Sequence, residues 1–61
     1  METVSYLLNW ADSSISVVDG IKSAFPCMVA IHDIDEDCYE AIITARIEDL
    51  PAIERRLAPY V

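Results

Sequence analysis

Three consecutive acids, Asp35–Glu36–Asp37, separate two stretches whose side chains alternate with a period of two, Cys27–Asp33 before them and Tyr39–Ile47 after. Such alternation is a strand pattern, and a short polar link between two strands makes a hairpin. This hairpin constrains the rest of the chain, because a slip of one residue turns every side chain to the opposite face. A three-residue turn aligns Val29 and Ile31 with the core face of Ala41 and Ile43, leaving Met28, Ala30 and His32 outward. A two-residue turn flips the earlier strand. The three-residue register is the expected one, since it buries the β-branched residues. On the later strand Tyr39, Ala41, Ile43, Ala45 and Ile47 share the core face, while Glu40, Thr44 and Arg46 point away with Ile42 among them.

Thr3–Trp10 predicts a further strand, with Val4, Tyr6, Leu8 and Trp10 on one face and Leu7 as the exception on the other. Asp12, Ser13 and Ser14 offer N-cap oxygens to a helix expected over 14–24. Its apolar stripe is Ile15, Val18, Ile21 and Phe25, widened by Val17 and Ala24. Pro26 ends it. A competing reading turns Ile15–Val18 into a strand reversing at Asp19–Gly20; continuation of the stripe through Phe25 favours the helix. A last helix is expected over 50–57, with Asp49 as N-cap, Pro51 in its first turn, Ile53 and Leu57 facing the core with Leu50, and Pro59 terminating it.

The order is β-α-β-β-α in one domain, residues 1–61, of the α+β class. A right-handed crossover from the first strand to the second leaves room for the third between them, giving a sheet of order 1-3-2 with both helices on one face. This topology resembles a ferredoxin-like fold lacking its last strand, and it leaves the first strand as an open edge. At 61 residues a chain buries only about 60% of its unfolded surface. A hydrophobic content of 54% compensates in part, and with one glycine and no low-complexity run it excludes a disordered acidic tail.

Eleven acids against four bases give a net charge of −7. Such a surface repels nucleic acids and anionic membranes and attracts basic surfaces, the more so at low salt. Two cysteines, Cys27 and Cys38, are too few for a secreted disulfide scaffold. Met1–Glu2–Thr3 lacks the basic start of a signal peptide, and no apolar run reaches the roughly 20 residues of a membrane span. A cytoplasmic location with both thiols free is therefore expected.

Between His32 and Glu40 lie five acids, one histidine and one thiol. Asp33, Asp35 and Asp37 match the opening of an EF-hand loop, but its sixth position needs glycine and is Cys38, and its twelfth needs glutamate and is Thr44. His32 and Cys38 supply two ligands where zinc requires three or four. No cofactor or metal is expected. Nor is catalysis: there is no G-x-S-x-G, H-E-x-x-H, glycine-rich phosphate loop or Cys-x-x-Cys. There remains either a solvated turn, rich in acids because turns favour Asp, or an electrostatic contact surface of Asp33, Asp35, Glu36, Asp37 and Glu40 for a partner bearing Arg and Lys. Replacing Asp35, Glu36 and Asp37 by Asn, Gln and Asn is expected to leave folding intact and to abolish inhibition of such a partner.

In size and charge, though in no sequence motif, a chain carrying these five acids, with Asp12, Asp19, Glu48 and Asp49 elsewhere, resembles the phage-encoded anti-CRISPR proteins. Some members of that class present carboxylates in place of a DNA backbone. The resemblance implies a monomer or weak homodimer that occupies a basic DNA-binding groove of a CRISPR effector complex in the host cytoplasm, without touching nucleic acid itself. The alternative is a self-associating structural or regulatory module, paired through the first strand or the face bearing Met28, Ala30 and Ile42, and holding a small ligand or metal.

Overall fold

The computed structural model describes all residues, 1–61. The elements are β1 (Glu2–Asn9), α1 (Asp12–Ala24), β2 (Met28–Asp33), β3 (Cys38–Ala45) and α2 (Leu50–Leu57), with a 3₁₀ turn at Ile47–Asp49 and another at Ala58–Tyr60. The sheet has the order β1-β3-β2, both pairs antiparallel, so β1 and β2 are both free edges. The hairpin takes the three-residue register: Val29 pairs with Ile43 and Ile31 with Ala41.

Cross-strand partners share a face, so the pairing defines two surfaces. Val4–Ile43–Val29, Tyr6–Ala41–Ile31 and Leu8–Tyr39–Asp33 form rows on the face toward the helices. Tyr6, Leu8, Tyr39, Ala41, Ile43 and Ala45 are buried there against Val18 and Ile21 of α1 and Leu50, Ile53 and Leu57 of α2. Thr3–Thr44–Met28, Ser5–Ile42–Ala30 and Leu7–Glu40–His32 form rows on the opposite face, which no element covers. There the Thr3 and Thr44 hydroxyls bond across the strands at 2.8 Å.

Local details depart from the sequence expectations where long-range partners intervene. The N-cap of α1 is Ala11, in extended geometry and without a side-chain cap bond. Asp12 sits instead in the first turn, where the helix dipole favours its charge. Ser14 is fully buried: its hydroxyl, 2.9 Å from the Asn9 carbonyl and 3.0 Å from that of Ala11, shares its proton between them and accepts from the Tyr39 hydroxyl at 3.1 Å. The helix is rotated so that Ser14, Val18 and Ile21 point inward, and Ile15, expected in the core, is 40% exposed. Ala24 is exposed too.

β3 ends at Ala45, two residues before the expected Ile47, which lies exposed in the 3₁₀ turn. The chain must turn there to bring α2 back over the sheet. Asp49 takes the expected N-cap position of α2, but its carboxylate makes no cap bond and accepts from Arg46 Nε at 2.8 Å instead. That bond, with Glu48 3.4 Å from the same guanidinium, raises the already high Arg46 pKa, the Asp49 contribution being the larger. No helix is long and apolar enough to cross a membrane.

Candidate functional site

The hairpin link places the acidic segment at one end of the sheet, in a molecule of 31 × 18 × 17 Å. β1 ends at the same place, because Asn9 pairs with Cys38 and the Trp10 amide donates to the Asp37 carbonyl at 2.9 Å. α1 starts there as well, bringing Asp12. Six acids, Asp12, Asp33, Asp35, Glu36, Asp37 and Glu40, therefore gather at this end. The four bases do not. Lys22 is in the last turn of α1 and Arg46 follows the far end of β3. Arg55 and Arg56 are in the last turn of α2, where the Arg56 guanidinium lies 5.2 Å from the ring centre of Phe25, just before β2 begins. At physiological salt the screening length is about 8 Å, so bases at the far end do little to neutralise the acids.

The five acids of the hairpin do not form one patch. Asp33 pairs with Tyr39 and belongs to the helix side of the sheet, whereas Glu40 pairs with His32 on the open side. Glu40 Oε1 lies 3.6 Å from His32 Nδ1. Asp35 folds back into the turn: its Oδ1 accepts from the Asp37 amide at 2.7 Å, the Cys38 amide at 3.0 Å and the Cys38 thiol at 3.4 Å. These bonds hold the Asp35 carboxyl below its ordinary pKa, the Asp37 amide contributing most. Desolvation first, then the bond to Asp35 and the charges of Asp35 and Asp37, push the Cys38 thiol up. A thiol so placed is a poor nucleophile.

Asp35 is thus a structural acceptor of the turn, and neutralising it would disturb the turn along with the charge. Asp33, Glu36 and Asp37 have no side-chain hydrogen bond or ion pair within the chain and are exposed. Among the hairpin acids they are the carboxylates free to meet another molecule.

No three His, Cys, Asp or Glu side chains are grouped so as to hold a metal ion. The cysteines are both unpaired, Cys27 lying 3.8 Å from the Ile21 carbonyl.

Beside the acidic end is a feature that periodicity missed. The helices leave the β2 edge uncovered on their own side, and a groove of about 160 Å³ opens between α1 and β2. Trp10, Ile15, Val18, Ile31 and Tyr39 line it, with Asp19 as its polar member. Trp10 is anchored by its ring on Tyr39, centroids 4.3 Å apart, yet remains 37% exposed; Ile31 is 49% exposed. The signal available in the sequence was the stripe Asp12–Ile15–Asp19, which at spacings of three and four sets an apolar side chain between two carboxylates. No protein-family model matches the chain, and neither a curated protein nor a solved structure does.

Proposed function

We propose that the protein is a binding module whose acidic end occupies a basic nucleic-acid-binding surface and thereby excludes the nucleic acid. The observation that carries this reading is the polarity of charge: six of eleven acids stand at one end, four of them (Asp12, Asp33, Glu36 and Asp37) without side-chain partners, and every Lys and Arg stands elsewhere. Crowded like charges oppose folding, and a partner supplying Arg or Lys relieves the repulsion while gaining charge-assisted bonds. Arg and Lys sites arranged for the regularly spaced phosphates of a duplex accept carboxylates in the same role. The resemblance in size and charge to anti-CRISPR proteins makes a CRISPR effector complex the first target to test. Competition with DNA for such a complex, comparing the native chain with Asp33→Asn/Glu36→Gln/Asp37→Asn, tests the reading.

Self-association is a second reading. It is favoured by the uncovered sheet face, where Leu7 is 56% and Met28 71% exposed beside Ala30 and Ile42. Light scattering separates the two, since a tight, salt-insensitive dimer belongs to the second reading alone.

A further inference from the structure

The groove between α1 and β2 is too small for a typical ligand pocket of 300–1,000 Å³. An apolar cavity of about 150 Å³ holds a single benzene-sized group. The walls are almost wholly apolar, but the rim is not. Asp19 closes one side, Asp12 precedes Ile15 by one helical turn, and Asp33 is the next residue after Ile31 on the same strand face. None of the three has an ion-pair partner within the chain.

We propose that this groove receives one apolar side chain, of leucine or phenylalanine size, from a partner segment in which Lys or Arg flanks that residue. The inference rests on the acidic-end reading and adds the anchor that reading lacks. Burying an apolar group contributes affinity that survives salt, whereas the rim carboxylates select cationic flanks and contribute the part that salt removes. A second copy of this chain is a poor occupant, because it would bring the Asp12, Asp19 and Asp33 of both copies together. Nucleic acid is disfavoured by the same sign of charge.

The test is an NMR titration of the full chain with two peptides of equal charge, Lys-Arg-Leu-Arg-Lys and Lys-Arg-Ser-Arg-Lys. The leucine peptide should bind at least about tenfold more tightly. At 0.5 M salt, roughly three times physiological, it should still move the Ile15 and Ile31 methyls and the Trp10 indole. Ile15→Ser/Ile31→Ser changes two partly exposed positions and should make the two peptides equivalent. Equal binding of both peptides to the native chain, with shifts confined to Glu36 and Asp37, overturns the groove and leaves the acidic-end reading standing. Binding of neither overturns both. Equal binding by a leucine peptide with Gln in place of every Lys and Arg overturns the cationic flank. Groove shifts that follow protein concentration without peptide assign the groove to a second copy and overturn the inference.

Discussion

Two tyrosine hydroxyls on the same sheet face have opposite fates. Tyr39 donates to Ser14 and joins β3 to the start of α1. The Tyr6 hydroxyl is buried without a partner, and burial, followed by the nearby Glu54 charge, pushes its pKa up. An unsatisfied buried hydroxyl costs about 1–3 kcal/mol, whereas a formed hydrogen bond contributes about 1 kcal/mol. Tyr6→Phe should therefore leave stability unchanged or raise it by about 1 kcal/mol. Tyr39→Phe should lower it by a similar amount, both read from urea unfolding. A loss above about 1 kcal/mol for Tyr6→Phe would show that its hydroxyl has a partner. Asp35 gives a pH prediction. Its folded pKa is depressed, so its contribution is complete above the unfolded value of about 3.9 and disappears as pH falls through the folded value. The Asp37 and Cys38 amide shifts should change together in that acidic window; shifts that stay constant while the Asp35 carboxyl titrates would contradict its role as their acceptor.

At the scale of elements, the hairpin was readable because its signal is local. Alternation and the β-branched residues select one register, and that register alone separates Asp33 from Glu40. The rotation of α1 was not readable, because Ser14 turns inward for a partner 25 residues away. With that rotation went Ile15, and hence the groove. Ile47 misled for a related reason: apolar alternation continues past the point where the backbone must turn to form α2. Gly20 is the weak point of α1. Its φ is not positive, and a Cβ there would meet nothing within 4 Å. Gly20→Ala should stabilise the protein by about 0.5–1 kcal/mol, or roughly 2–8 °C in Tm for a domain of this size. Thermal unfolding checks this, and a lowered Tm would show that the site cannot take a methyl group.

For the whole molecule, the decisive property is the separation of charge between the two ends of the sheet. Net charge was legible from composition, but its direction was not. It arises because β1, the β2–β3 link and the start of α1 converge at one end, while β3 delivers Arg46, and α1 Lys22, to the other. The same topology places both helices on one face and leaves the other bare. The decisive measurement is DNA displacement from a purified CRISPR effector complex by the native chain and by Asp33→Asn/Glu36→Gln/Asp37→Asn over a range of salt. Asp35 is left in place so that the turn survives. The native chain should displace DNA, displacement should weaken as salt rises, and the triple variant, still folded, should lose at least about tenfold in potency. Equal displacement by the two folded proteins, or none by the native chain at any salt, would contradict the proposed function.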